Sequence, residues 1–582
     1  DTPAYVLGKY IPDEKKDRLF VPAAAALACA DILLSFMKSR SVPWMCAYNI
    51  IPALAVAAVF IRAAGKTSGA ERGLYLPVTA AAAAALAVFS ALFHVSLHRS
   101  FFTFTDLSIF TNVLWSINNN EGQFTMLEGG DHRGVHFQPV IYLLALLFRA
   151  GCGPEALLAI QPFFIFGAAL FLFLLAEKIL ENRQAAFLVS MAFLCSPYAF
   201  RNIYYDYHPE TMYMAAFFAF LYFAESKKML PAALAACFAL LLKEETGLYI
   251  CAASVFLFMR GSGKKYLLFA AVSAAYAATA VLLIMPAYGS GTGGWLSVMA
   301  GNIDSFAENY MNGRLALELA VFFCGMFLLS LLDLKAAVFI VLPVLLVHLL
   351  RFSREFNYVF DLHYASFAAA SGFGAAVYGL KKAADAYGQR AAAAAGLGVF
   401  AAQAGLNISF FGLSAGHAVL SAIMPVLAGA AVMSNAKKAW IAVAVTGACL
   451  LAPVAGFFMY NAGKINYVPK EEKDSIAKAL KTVPDNSFVA SNMNILPRLS
   501  SRKYVMQVDS SSAAQIITAA KSSGLPDFYL VSYMRDFTYS QAQKSAEQVN
   551  EEISRLAMAG GYAFSLVYGD GITAVARFYL LY

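Results

Sequence analysis

Apolar stretches of roughly 17–25 residues recur along this chain, separated by short lysine and arginine clusters, and few folds are open to a chain written that way. Of its 582 residues 60% are hydrophobic and only 14% are charged, against about 25% charge in a typical soluble protein. The class that follows is a polytopic helical membrane protein. About fifteen helices are expected, near 19–37, 43–62, 74–98, 157–180, 185–203, 211–225, 229–242, 246–260, 266–287, 316–332, 335–350, 364–380, 391–411, 417–434 and 439–460.

The basic clusters orient the spans. Lys15/Lys16/Arg18, Arg62/Lys66/Arg72, Lys178/Arg183, Lys227/Lys228, Arg260/Lys264/Lys265, Lys381/Lys382 and Lys437/Lys438 fall on alternate loops, and that side is assigned to the cytoplasm. The net charge of +7 therefore reports topology, and no nucleic-acid module is present. Nearly all eight cysteines sit inside apolar spans and no C-x-x-C occurs, so no disulfide framework is expected. No cleavable leader is expected either, and the first span should stay in the membrane.

The opposite side receives the stretch Phe101–Pro139, the Tyr204–Glu210 turn, Lys243–Glu245, the 288–315 loop, Arg351–His363 and everything after about Tyr460. All eight histidines fall toward this side. A connection as long as Phe101–Pro139 far exceeds what a helix turn needs, and its aromatic content argues for order. It is read as a structured extracytoplasmic loop forming one wall of a site. From Lys464 the composition changes. Helix-like stretches (Glu471–Lys481, Ser511–Lys521, Tyr539–Ala557) alternate with β-rich runs (Ser487–Ala490, Tyr504–Val508, Phe528–Val531), and Tyr562–Val567 and Ile572–Tyr579 flank a Gly-Asp-Gly turn. A small α/β domain is expected there, and it holds no Gly-rich phosphate loop.

Four places carry candidate chemistry. Asp106 opens an amphipathic run (Leu107, Phe110, Leu114, Ile117), where it serves either as helix cap or as base or metal ligand. His132 and His136 lie four apart, with Glu128 and Asp131 near, a set that suits a divalent metal, a substrate hydroxyl or simple ordering of the loop. In Asp206-Tyr207-His208-Pro209-Glu210, the proline and glutamate suit a helix start, which leaves Asp206 and His208 for function. Lys243-Glu244-Glu245 reads either as a snorkelling loop or, with Arg201, Arg351 and Arg354, as a receiver for a phosphate arriving through lipid. Tyr358, Asp361, His363 and Tyr364 lead toward the same cavity.

The segments DLSIFTNVLW, LEGGDHRGVHFQPVIYLLA, YDYHPET, LLKEETG and LHYASFAAA, in that order and followed by SNMNILPRLSSRKY, resemble the successive motifs of a bacterial and archaeal predicted-membrane-protein family. That family is grouped with the GT-C superfamily of polytopic glycosyltransferases. The likeness runs from about Leu74 to Tyr582, and the two N-terminal spans look like an addition. It implies a GT-C-like bundle of about 13 core helices plus 2 N-terminal ones, divided as 1–73, 74–463 with an outer loop over 99–156, and an extracytoplasmic α/β domain over 464–582. It further implies transfer of a sugar from a polyprenyl-phosphate donor in the bilayer, at the extracytoplasmic face of the inner membrane. Asp106 occupies the position of the usual catalytic carboxylate, although the paired acid of many such enzymes is replaced here by Leu107.

The expected site therefore comprises Asp106, Asp206, His208 and Glu210 as catalytic groups. Arg133, Arg201, Lys243, Glu244, Arg351, Arg354, His363 and Tyr364 would bind substrate, and His132 and His136 would hold a divalent metal if one is used. Two other classes compete with this one. A scaffold subunit of a membrane complex would suit the same spans, and a transporter would need ionisable residues deep within them, for which Asp31 is the clearest candidate.

Overall fold

The computed structural model describes residues 71–194, 196, 199, 202, 206–289, 301, 329–351, 362–387, 468–509, 512–534 and 546–581. The expected spans at 19–37, 43–62, 391–411, 417–434 and 439–460, and nearly all of 316–332, lie outside the described residues, as does Asp31.

The protein is mostly helical, with a small C-terminal sheet domain. Helices α1 (Glu71–Arg99) and α4 (Pro154–Leu180) lie along each other through small residues. Ala83 and Ala87 of α1 and Ala168 and Ala169 of α4 are all buried. Small side chains let helix backbones approach closely where lipid offers no hydrophobic drive for association. α5 (Arg183–Leu194) and α6 (Tyr213–Glu225) pack on α4 in turn. α7 (Met229–Leu242), α8 (Thr246–Met259), α9 (Lys265–Thr279, running on to Tyr288 through a π turn), α10 (Leu342–Arg351, entered through Leu334–Val341) and α11 (Ala365–Tyr387) complete the bundle.

Among the described residues three helices, Tyr75–Arg99, Pro154–Leu180 and Lys265–Tyr288, are long and apolar enough to cross a membrane. α7 and α8 have 14 residues each, which is about 21 Å of rise, short of a hydrocarbon core of about 30 Å.

The helices alternate in direction, so their connections gather at two ends. At one end Arg260 lies 3.4 Å from Glu225 and 3.8 Å from Asp333, tying the α6–α7, α8–α9 and pre-α10 turns together. The basic pairs Lys227/Lys228 and Lys264/Lys265 flank these turns. The candidate groups collect at the other end.

The connection after α1 is ordered, as its aromatic content implied. It contains α2 (Thr105–Asn118), a two-stranded antiparallel turn of β1 (Phe124–Thr125) and β2 (Gly130–Asp131), and the short α3 (Val140–Arg149). Leu107, Phe110, Val113 and Leu114 of α2 are buried. The expected amphipathic face is thus present.

In the C-terminal domain five strands follow the spatial order β4-β3-β5-β7-β6, from β3 (Phe488–Ser491), β4 (Val505–Gln507), β5 (Asp527–Tyr533), β6 (Tyr562–Gly569) and β7 (Thr573–Leu580). β3 runs parallel to both β4 and β5, and β7 is antiparallel to β5 and β6. Helices α13 (Ala513–Ser522) and α14 (Ala546–Ala559) cover one face through Ile516, Val549 and Ile553 against Phe488, Phe528 and Phe578. Helix α12 (Lys470–Leu480) covers the other through Ile476 and Ala479, joined there by Phe101 from the end of α1. Coverage of both faces explains why Phe488–Ala490 and Phe528–Val531 are apolar at every position, with side chains on both faces buried.

Candidate functional site

Helix α2 begins without a local cap. Phe104 stands at its N-cap position and offers no side-chain oxygen. The missing acceptor comes from Asp206, about a hundred residues later, whose Oδ2 accepts the backbone N–H groups of Phe104 (2.8 Å) and Leu107 (3.1 Å). Two orphan donors of the first turn are thereby satisfied. Sequence reading left Asp106 open between cap and base or metal ligand and kept Asp206 for chemistry, whereas the cap is made by Asp206.

Asp106 sits in the first turn of the same helix, with its side chain about a quarter exposed, and its Oδ2 lies 3.4 Å from Nε2 of His208. Burial and the nearby charge of Asp106 lift the Asp206 carboxyl to about 7, against the opposing pull of its two backbone hydrogen bonds.

His208 is buried, and each ring nitrogen faces an acceptor. Nδ1 lies 3.2 Å from the carbonyl oxygen of Asp206 and Nε2 faces Asp106. A ring between two acceptors is best served with both nitrogens protonated. Burial works against that charge, but Asp106 and Glu210 outweigh it and raise the pKa. The His208 backbone N–H donates to Gln161 Oε1 at 2.7 Å, and the Gln161 amide donates to the carbonyl of Asn202 at 2.9 Å. Gln161 therefore fixes the turn from within α4.

The His208 ring lies flat on His363, with centroids 3.5 Å apart and planes within 8°. His363 Nε2 is 3.5 Å from Glu210 Oε1, and the same oxygen accepts from Lys243 Nζ at 2.9 Å. Glu210 and Lys243 are both almost wholly withdrawn from solvent. Burial alone would push the Glu210 carboxyl up, and Lys243 with His208 overrides it and holds the group low, at about 2. Lys243 also reaches Glu245 at 3.9 Å and lies over the rings of Tyr364 (5.2 Å) and Phe367 (5.9 Å). The snorkelling reading of Lys243-Glu244-Glu245 does not hold. All three side chains are buried, because α7 and α8 both stop short and turn the corner inside the protein.

The loop joins this network through an amide. Gln138 Nε2 donates to Glu210 Oε2 at 3.1 Å, and since a carboxylate can only accept, the amide's Oε1 faces His132 Nε2 at 3.1 Å. Nδ1 of His132 meets Glu128 Oε2 at 2.6 Å. Burial disfavours the imidazolium, but Glu128 and Gln138 win and raise the pKa of His132. With an acceptor at each nitrogen, this ring turns no lone pair to a metal, which needs neutral imidazole.

His136 instead points elsewhere. Its Nδ1 is 3.2 Å from Glu244 Oε1, whose second oxygen accepts the Phe137 N–H at 3.0 Å. Its ring centroid is 6.1 Å from that of His132. Among the described residues no three His, Cys, Asp or Glu side chains converge as a metal site.

Arg133 stands apart from the network. It grips Asp131 through Nε (2.9 Å) and Nη2 (2.6 Å) and lies 3.6 Å over the ring of Tyr288. Next to it, Gly134 touches the backbone of Gly289 so closely that a Cβ would sit 2.6 Å from its Cα.

Arg201 and Arg354 lie outside the described residues, as does the side chain of Arg351. Of the expected site, Asp106, Asp206, His208, Glu210, Lys243, His363 and Tyr364 meet in one place, and Glu244 with His136, and His132 through Gln138, adjoin it. Sequence reading missed Gln138 and Gln161. A glutamine inside an apolar helix, as at Gln161, was the available signal.

The C-terminal domain grips α2 directly. The Asn112 amide donates to the carbonyls of Ser500 (2.9 Å) and Arg502 (2.6 Å), and Thr105, beside Asp106, hydrogen-bonds Gln507 at the end of β4. Lys503 pairs with Glu121 at 2.9 Å, and Arg498 with Glu155 at 3.4 Å.

A family model described as predicted membrane protein (DUF2079) matches residues 97–414. No curated protein matches the chain. Among solved structures, ArnT from Cupriavidus metallidurans bound to undecaprenyl phosphate is similar at 13% identity and a TM-score of 0.49, over 88% of this chain and 98% of that one. The same protein in its apo state gives 13% identity and a TM-score of 0.42, over 81% and 93%.

Proposed function

The chain belongs to the DUF2079 family of predicted membrane proteins, and from its site we propose that it is a glycosyltransferase of GT-C type, moving a sugar from a polyprenyl-phosphate donor to an acceptor hydroxyl. The observation that carries the reading is Asp106: a partly exposed carboxylate held 3.4 Å from a buried imidazole, at the rim of an otherwise buried charged network. The ordered motifs around Asp106, His132, Asp206, Lys243 and His363 support the same class.

In the proposed reaction Asp106 takes the proton of the acceptor hydroxyl as its oxygen attacks the anomeric carbon. The bond from that carbon to the phosphate oxygen breaks, its electron pair leaves with the polyprenyl phosphate, and a single displacement inverts the anomeric centre. His208 orients the base, Asp206 anchors the helix turn that bears it, and Glu210 with Lys243 fixes the floor. Lys243 and Arg133 each hold a protein carboxylate, so the phosphate charge is assigned to Arg201, Arg351 and Arg354.

The test is Asp106→Asn in the source organism, with membrane glycolipids and glycans compared by mass spectrometry among parent, deletion and variant. General-base loss predicts a product decrease of about 100-fold or more. Native mass spectrometry of the purified variant with undecaprenyl phosphate should show binding retained. Product equal to the parent's removes Asp106 from the mechanism.

A further inference from the structure

We propose that β6 is a docking edge for a second copy of this chain, the two sheets joining antiparallel through Tyr562–Leu566 about a two-fold axis at Phe564. Of the sheet's two edges, β4 is met by α2, through Thr105 on Gln507 and Asn112 on the turn before the strand. β6 has β7 on one side and, among the described residues, no strand on the other. The Leu581 N–H donates to the Gly561 carbonyl at the start of the β6–β7 ladder. That register has Ala563 and Ser565 exchange bonds with β7, while the backbone N–H and C=O groups of Tyr562, Phe564 and Leu566 turn outward.

Sheet edges that face water are commonly blunted by charge or proline. From Gly560 to Gly569 there is neither. Phe564, Leu566 and Val567 are instead 47%, 65% and 41% exposed. The register shift at Val567 bends the strand there, which leaves Tyr562–Leu566 as the straight stretch and Phe564 as its midpoint.

A strand is the occupant that fits. Lipid would take the apolar side chains but leave the outward backbone groups without partners. A second β6 takes both. Centred on Phe564, antiparallel pairing sets the outward groups of Tyr562 in one copy against those of Leu566 in the other, and Phe564 against itself, with no like charges opposed. The symmetry also suits a membrane protein. Phe101, from the end of α1, packs into the face of the sheet that α12 covers. A two-fold axis normal to the sheet keeps that face on the same side in both copies. Both helical bundles then lie on one side of the joined sheet, as two copies in one bilayer must. This inference does not depend on the transferase reading.

The test uses the full chain in its native membranes with Phe564→Cys, oxidised mildly with copper phenanthroline and read as covalent dimer on a non-reducing gel. The parent's own cysteines set the background. Cα atoms opposed in a hydrogen-bonded antiparallel pair lie about 5.5 Å apart, within reach of a disulfide. Phe564→Cys should run mostly as dimer, whereas Gln515→Cys on the exposed side of α13 should match the parent. In native mass spectrometry of the purified proteins the parent should be a dimer, and Phe564→Lys, which sets like charges face to face, should be a monomer. Leu566→Lys repeats that measurement should the first variant fold poorly. Crosslinking at position 564 no greater than at position 515 overturns the proposal. So does an adduct of Phe564→Cys with a different protein, which would make that protein the occupant of the edge.

Discussion

Asp206 holds the two donors of α2's first turn on one oxygen while burial and Asp106 lift its pKa from 3.8 to about 7. An acid with a raised pKa keeps its proton longer in the folded state. Its contribution to stability is therefore full below 3.8 and is lost as pH rises through about 7. The raised pKa values of His208 and His132 act in the same direction, with losses beginning above 6.5. Glu210 acts in the opposite sense: its stabilisation is present above 4.5 and is lost as pH falls toward about 2. The share of the pH dependence that Asp206 contributes should accordingly favour pH 5.5 over pH 8, read as the difference in melting between the parent and Asp206→Asn at the two pH values. Asp206→Asn, which keeps an acceptor for the cap, should flatten that slope, and an unchanged slope in denaturation scans removes Asp206 as its source. The buried Glu210–Lys243 pair supplies a second expectation. Lys243→Met strands a buried carboxylate and should cost about 3–5 kcal/mol, with Glu210→Gln in the same chain recovering part of it in a double-mutant cycle. The polar residues of this site stood out in the sequence because the chain around them is so apolar. Their division of labour did not. A cap supplied from a hundred residues away leaves no local pattern, and nothing in the sequence says which atom Gln138 turns to Glu210.

Helix α2 couples the two parts of the molecule, because it carries Asp106 on its first turn and the C-terminal domain hangs from its middle. Asn112 is buried, and its amide satisfies two carbonyls of the 500–502 turn. Asn112→Leu would fit the space, strand the buried Arg502 carbonyl and leave the Ser500 carbonyl with only the Arg502 N–H, at about 1–3 kcal/mol for the stranded group. The variant should show lower stability in denaturant and faster proteolysis within 498–509 than the parent. Cleavage at the parent's rate would mean that the domain is held by other contacts, such as Lys503 with Glu121. The elements themselves were largely legible. The amphipathic run after Asp106 became α2, and the alternation of helix-like and β-rich runs after Lys464 became the five-stranded sheet, with ends moved by a residue or two in most strands. What escaped was burial. The run 229–242 became α7 with the bounds expected, but only packing shows that Lys243-Glu244-Glu245 after it lie inside the protein.

At the scale of the whole molecule, the alternation of helices puts the described basic turns and the charged network at opposite ends of the bundle. Lys227 and Lys228 follow α6 at one end, while Glu210 precedes that helix at the other. The C-terminal domain touches the network end through Asn112, Thr105 and Arg498. If lysine-rich turns face the cytoplasm, then the sheet and the site share the outer face of the membrane. Single substitutions Lys227→Cys and Lys521→Cys decide this, read as the increase over the parent's own thiols with a membrane-impermeant maleimide. Lys521→Cys should label in intact cells and Lys227→Cys only after lysis. The reverse pattern would put the site on the cytoplasmic face and exclude an outer-face acceptor. Labelling of both in intact cells would break the two-ended arrangement itself. The distinction matters because a carboxylate base can act only on acceptors present on its own side of the bilayer, so orientation limits the substrate before any pocket is considered.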